Sequence, residues 1–73
     1  MFNENLLRAA MVEIGMKMPE LAERLGISLS TLYNKTHGNS EFTRSEIQTI
    51  SEIFGWDRTN KIFFGKKNRK GGK

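Results

Sequence analysis

The sequence predicts an all-α fold, a compact domain of five short helices. Apolar residues recur at helical spacing along the chain, and glycines or turn residues separate the helical segments. The length of 73 residues allows one domain, which buries only about 60% of the surface of its unfolded chain, so the core is thin. The chain has no Cys and a single His, so we expect neither disulfides nor a bound metal.

The first helix is predicted from four apolar residues that share one face. They follow the spacing i, i+3, i+4, i+7: Leu7, Ala10, Met11 and Ile14. Asn3 or Asn5 can accept hydrogen bonds from the first turn and so begin the helix. Gly15 can end it in the left-handed conformation.

The second and third helices are short and follow each other closely. In "MPELAERLG", Pro19 suits a first turn, where its missing N–H costs nothing, and Gly26 ends the segment. In "ISLSTLYNKTHG", Ser28 is a good N-cap and Gly38 follows the end. Both segments are therefore expected to be helical.

The fourth helix has the clearest start. Thr43 and Glu46 have the spacing of a capping box, in which each side chain bonds the other's backbone N–H. Phe42 and Ile47 flank this box at the positions of a hydrophobic staple. The segment should run to Gly55.

A fifth helix, "RTNKIFF", is expected to begin after Asp57 as its cap. Residues 66–73, "KKNRKGGK", hold five basic and no acidic side chains, whereas residues 1–65 hold seven basic and eight acidic ones. We expect a domain over 1–65 and a basic, disordered tail over 66–73. The tail's charge attracts any polyanion weakly or only keeps the protein soluble.

The core should gather the apolar sides of these helices. Its predicted members are Leu7, Met11, Ile14, Leu21, Ala22, Leu25, Ile27, Leu32, Ile47, Ile50, Phe54 and Trp56. The segment Ile62, Phe63 and Phe64 has two interpretations: it is exposed as an interface, or it folds back to complete the core.

The stretch "AERLGISLSTLYNKTHG" predicts a helix-turn-helix. Ala22 is small where the next helix crosses above it, and Gly26 suits a turn that needs positive φ. The alternative is an ordinary αα-hairpin within a bundle.

The segment "MPELAERLGISLSTLYNKTHG" resembles the helix-turn-helix of the lambda-repressor and Cro-like family of phage and bacterial regulators. The likeness extends over about residues 4–64 and implies a five-helix domain whose third helix enters the major groove of operator DNA. The sequence departs from the family at two positions. It has Met18 where Gln is common, and Lys35 where a large apolar residue is common.

The outward face of the third helix can be assigned from Leu32. With Leu32 buried, steps of about 100° per residue turn Ser30, Asn34 and His37 away from the core, with Thr31 and Tyr33 beside them. The Asn34 amide can pair with N6 and N7 of adenine. Tyr33 either contacts DNA or covers the edge of the domain, and His37 is a cap or a groove-edge contact.

The resemblance implies that the start of this helix also faces bases, although the helical wheel places Leu29 nearer the core. The predicted base contacts are Leu29, Ser30, Thr31, Tyr33, Asn34 and His37. The predicted phosphate contacts are Lys17, Ser28, Lys35, Asn39 and Arg44. For the charged members, the alternative is a side chain that is simply solvated.

Two functions remain open. The first is a sequence-specific, duplex-DNA-binding transcriptional regulator, Cro-like, acting as a homodimer in a phage lysis–lysogeny switch. The second is a modulator that binds the phage repressor protein through its helix-turn-helix face, since residues 1–65 are slightly acidic. No catalytic motif is present, so an enzyme is not expected. We expect no cofactor and no membrane segment, and a location in the host cytoplasm.

Overall fold

A computed structural model of the chain describes residues 2–65 and confirms the all-α prediction. Five helices follow in order: α1 (Glu4–Ile14), α2 (Met18–Leu25), α3 (Leu29–Thr36), α4 (Arg44–Phe54) and α5 (Trp56–Phe64). The closest backbone packing joins α2 to α3, α4 to α5, α1 to α5 and α2 to α4. The tail predicted over 66–73 lies outside the described residues.

Polar caps begin three of the helices as the sequence predicts. The Asn3 side chain, and not that of Asn5, accepts the N–H of the first turn of α1 at 3.0 Å. Ser28 caps α3 in the same way. Thr43 accepts the N–H of Glu46 at 3.2 Å, and the Glu46 carboxylate accepts the N–H of Thr43 at 2.9 Å. These bonds satisfy donors that have no partner inside a helix.

The core joins all five helices. Its buried apolar members are Leu7, Ala10, Met11, Met16, Met18, Leu21, Ala22, Leu32, Ile50, Ile62 and Phe63. Four other predicted members are partly buried against it: Leu25, Ile27, Ile47 and Phe54. The prediction was wrong for Ile14 and Trp56, which are 48% and 51% exposed. Each lies at a helix end, the last residue of α1 and the first of α5, where fewer side chains surround it.

The last helix begins earlier than predicted. Gly55, at φ +92°, is the single residue between α4 and α5, so Asp57 lies inside the first turn and is not the cap. Ile62 and Phe63 are buried, so these two residues complete the core and are not exposed as an interface. Phe64 stays 51% exposed.

The residues before α1 pack against α5. The Asn3 N–H donates to the Ile62 carbonyl at 2.6 Å. The Phe2 ring centroid is 5.1 Å from that of Phe42 and 5.3 Å from that of Phe63, and the Phe42 and Phe63 centroids are also 5.1 Å apart. This aromatic cluster closes the core beside the C-terminal end of α3.

Candidate nucleic-acid interface

The α2–α3 unit has the tight turn that the sequence predicts. Gly26 ends α2 in the left-handed conformation at φ +74°, and the Ile27 N–H donates to the Ala22 carbonyl at 3.0 Å. Ala22 is 3% exposed, and Leu21 and Leu32 are completely buried. This packing fixes α3 on α2 and leaves the opposite side of α3 facing outward.

The outward side of α3 carries the residues that the helical wheel selects. Ser30, Asn34 and His37 are exposed, whereas Thr31 and Tyr33 on either side are half-buried. The face that they form bears hydroxyl, amide and imidazole groups. Such groups can donate and accept hydrogen bonds along the edges of bases.

The start of α3 is organised by hydroxyl groups. The Ser28 oxygen accepts the Thr31 N–H at 3.1 Å, and the Ser28 hydroxyl donates to the Thr31 hydroxyl oxygen at 2.8 Å. The Ser30 oxygen is 3.3 Å from that of Ser28. Leu29 is 38% exposed, so the structure places it at the surface and not in the core. An apolar side chain there can contact a thymine methyl group.

His37, which follows the end of α3, stacks on Tyr33 and approaches Glu4 of α1. The rings of Tyr33 and His37 are stacked with centroids 6.0 Å apart and planes 12° apart. The His37 Nε2 atom is 3.9 Å from the Glu4 carboxylate, which also accepts a hydrogen bond from Arg8 at 3.0 Å. Tyr33 therefore both packs at the edge of the domain and flanks the outward face.

Lys35 does not occupy the surface position that its predicted phosphate contact requires. It is 9% exposed, and its Nζ atom lies 2.9 Å from Glu46 Oε1. Nζ also donates to the Glu41 carbonyl at 3.0 Å and lies 5.8 Å from the centre of the Phe42 ring. The ammonium group is therefore held inside the domain, and this correction removes one cation from the predicted phosphate-binding set.

Glu46 is the buried partner of Lys35. The sequence predicted it only as a member of the capping box. Its burial opposes ionisation, but hydrogen bonds from the Thr43 backbone and from Lys35 outweigh burial and lower the pKa of the carboxyl group below its ordinary value of 4.5. The helical wheel that selected Asn34 also indicates that Lys35 is buried. Lys35 lies about 60° from Leu32, on the buried side of the helix.

The other phosphate candidates are at the surface. Lys17 is the exposed N-cap residue of α2 and makes no side-chain cap bond, while Asn39 follows α3 and Arg44 opens α4. The Met18 side chain is 8% exposed and joins the core. At position 18 the chain therefore has a buried apolar side chain where the family commonly has Gln.

The described residues show neither a metal site nor a membrane span. In the range 2–65, no three side chains of the metal-ligating types are grouped to hold an ion. None of the five helices in that range is long and apolar enough to span a membrane.

Comparison with known proteins agrees with this geometry. Residues 6–57 match the family model described as a Cro/C1-type HTH DNA-binding domain. This region includes α2, the turn and α3, and most of α1. Searches among curated proteins and among solved structures found no match.

Proposed function

Because the chain belongs to the Cro/C1-type helix-turn-helix DNA-binding family, we propose that it is a transcriptional regulator that reads specific duplex-DNA sequences with α3. The observation that carries this proposal is the contrast between the two sides of α3. Leu32 is completely buried on one side, and an exposed polar face with Asn34 near its centre lies on the other. A helix of this kind fits the major groove, where base edges present distinct donors and acceptors.

Asn34 is the proposed base reader with the greatest discrimination. Its amide can donate to N7 of adenine and accept from N6 at the same time or bond other base edges singly. The surrounding contacts come from Leu29, Ser30, Thr31, Tyr33 and His37. The hydroxyl groups of Ser30, Thr31 and Tyr33 are less selective than the Asn34 amide. These roles rest on exposure and on the family resemblance.

The proposed backbone contacts surround α3. Lys17 is adjacent to the N-terminus of α2, where unpaired N–H groups favour a phosphate. Ser28, Asn39 and Arg44 lie before and after α3. Such contacts position the protein on the duplex without reading its sequence.

We propose that the protein binds its operator as a homodimer. Trp56 and Phe64 are each about half exposed and line one groove together with Ile47, Gln48 and Arg44. Exposed aromatic side chains beside a groove are typical of protein interfaces. Two copies can then read half-sites about one helical turn, or about 34 Å, apart. The proposed setting is the switch between lysis and lysogeny of a phage, in the host cytoplasm.

A second function is favoured by one observation. Burial of Lys35 in its ion pair leaves the outward face of α3 without a Lys or Arg side chain, in a chain whose residues 1–65 carry a formal charge of −1. A surface of this kind suits the basic surface of a partner protein. The second candidate is therefore a modulator that binds the phage repressor through this same face.

Binding-site selection from a random duplex library, followed by titration of the selected site, tests the first function. We expect Asn34→Ala to weaken binding to the selected site by about 1–3 kcal/mol and to leave binding to random DNA nearly unchanged. Asn60→Ala, the same change at an exposed position of α5, is the matched control and should alter neither affinity.

The two functions give different outcomes. Enrichment of one sequence by the purified protein supports the DNA-reading function. If no sequence is enriched, and DNA is shifted only when a phage repressor is added, the modulator function is correct. Loss of the repressor's own shift on addition of the protein also supports the modulator.

A further inference from the structure

We infer that Lys35 is a positioning residue for DNA reading: its buried ion pair with Glu46 fixes the direction in which α3 presents Asn34. This inference rests on the proposed DNA-reading function. It concerns a side chain that the sequence predicted as a phosphate contact, at a position where the family commonly has a large apolar residue. The structure instead gives it two partners inside the domain.

The Lys35–Glu46 ion pair connects two helices, α3 and α4, that carry proposed DNA contacts. Lys35 immediately follows Asn34 in α3, and Glu46 lies two residues after Arg44 in the first turn of α4. The Nζ and Oε1 atoms are 2.9 Å apart, and both side chains are about nine-tenths buried. The proposed base reader and a proposed phosphate anchor are thus connected through one short interaction.

Lys35 contributes a polar link from α3 to α4. The close backbone packing of α3 is on α2, whereas α4 packs on α2 and α5. The ammonium group also donates to the Glu41 carbonyl at 3.0 Å, in the loop that leads from α3 to α4. The Lys35 side chain therefore bonds both the start of α4 and the loop before it.

The chemistry of this link makes it directional. Hydrogen bonds to charged groups need defined distances and angles, while apolar contacts are non-directional. A buried ion pair is weak as a source of stability, because desolvation offsets the attraction of the charges, and apolar side chains of similar size often replace it without loss. Orientation of α3 is therefore the property most sensitive to the pair.

Orientation matters more for base contacts than for phosphate contacts. A bidentate amide–adenine pair requires both hydrogen bonds to align, whereas cations near the backbone attract phosphates over a wider range of geometry. Loss of the ion pair should therefore reduce affinity for the selected site more than affinity for random DNA. The ratio of the two affinities is the diagnostic quantity.

The first test replaces the pair by apolar residues in the variant Lys35→Met/Glu46→Leu. We expect its ratio of selected-site to random-DNA affinity to fall by about tenfold or more. Its unfolding midpoint should fall modestly, because Glu46→Leu also removes the capping-box bond from the Thr43 N–H. The matched control is Glu13→Leu/Arg58→Met, which removes an exposed ion pair between α1 and α5. The control should keep the ratio.

A second test needs no DNA. In Glu46→Gln the capping box can persist while the charge on one partner is removed. Residual dipolar couplings of the free protein measure the angle between α3 and α4, and we expect this angle to change in Glu46→Gln but not in the Glu13/Arg58 control. This variant also replaces the apolar double variant in DNA titrations if the latter does not fold.

The outcomes separate this inference from the proposed function. An unchanged affinity ratio in a folded variant, or an unchanged angle in Glu46→Gln, overturns the positioning role. If the unmodified protein prefers no DNA sequence, the proposed function fails. The measured angle then still decides whether the ion pair orients α3.

Discussion

Asn34 and Lys35 are adjacent in the chain and lie on different sides of α3. Asn34 is exposed, while Lys35 is buried against Glu46 and the Glu41 carbonyl. A helix turns successive side chains by about 100°, so neighbours in sequence need not share an environment. At the scale of single residues, the position of Lys35 on the helix therefore outweighs its charge in deciding its exposure.

The Glu46 carboxylate should make folding stability depend on pH. Because its pKa in the folded protein lies below the ordinary value of 4.5, the ionised form is stabilised by folding. This contribution is complete above the unfolded-state pKa and is lost as pH falls below about 4.5 through the lower, folded-state value. We expect the free energy of unfolding, measured with urea from pH 6 to pH 3, to fall more gradually in Glu46→Gln.

The control for this measurement is Glu23→Gln, which makes the same change at an exposed position of α2. It should keep the pH profile of the unmodified protein. A Glu46→Gln profile with the original slope would show that the ion pair does not contribute in this pH range.

At the scale of helices, caps and glycines determine where each element begins and ends. Gly26 ends α2 at a φ of +74°, a conformation that is disfavoured for residues with a Cβ. A Cβ atom at this position would meet no other atom within 4 Å, so a substitution introduces backbone strain without a collision. The stability of Gly26 variants therefore measures backbone strain without a contribution from collisions.

Gly26→Ala should destabilise the domain by about 1 kcal/mol, because the cost of the left-handed conformation exceeds the entropy gained from a stiffer unfolded chain. Gly26→Asn should cost less, since Asn tolerates this conformation better than Ala. Urea denaturation at neutral pH measures both. Equal stability of the Ala and Asn variants would contradict the assignment of the cost to backbone strain.

At the scale of the whole molecule, charge and exposed aromatic surface suggest how the domain assembles on DNA. Residues 1–65 have a formal charge of −1 in a chain whose net charge is +4, so an interface between these parts of two copies involves little net charge. Trp56 and Phe64 are exposed on α5, and Phe64 also lines a larger groove of about 660 Å³ that reaches His37 at the end of α3. An interface there would lie close to α3, the helix that we propose reads DNA.

We expect Trp56→Ser/Phe64→Ser to shift the protein from dimer to monomer in sedimentation equilibrium, with little loss of stability because both side chains are already half exposed. Val12→Ser, at a position of α1 that is 79% exposed, is the control and should leave the association unchanged. A monomeric unmodified protein at concentrations that saturate a two-half-site operator would contradict the proposed dimer.

The sequence by itself determined the local features of this protein. Helical periodicity, the capping box at Thr43 and the glycines at 15 and 26 predicted the five helices, because these signals act within one or two turns of chain. The Leu32 wheel predicted the outward position of Asn34 correctly, but it placed Leu29 nearer the core, and Leu29 is exposed in the first turn of α3. The match of residues 6–57 to the Cro/C1-type domain agrees with these predictions.

Only the tertiary structure decided which side chains meet across the domain. The burial of Lys35 depends on Glu46 and Glu41, eleven and six residues further along the chain, and the aromatic cluster brings Phe2 to Phe42 and Phe63. Ile14 and Trp56 have core-like chemistry but lie at helix ends, where packing does not cover them. These outcomes depend on how helices pack in three dimensions. The helical wheel places Lys35 on the buried side of α3, but it does not identify the side chains that Lys35 meets there.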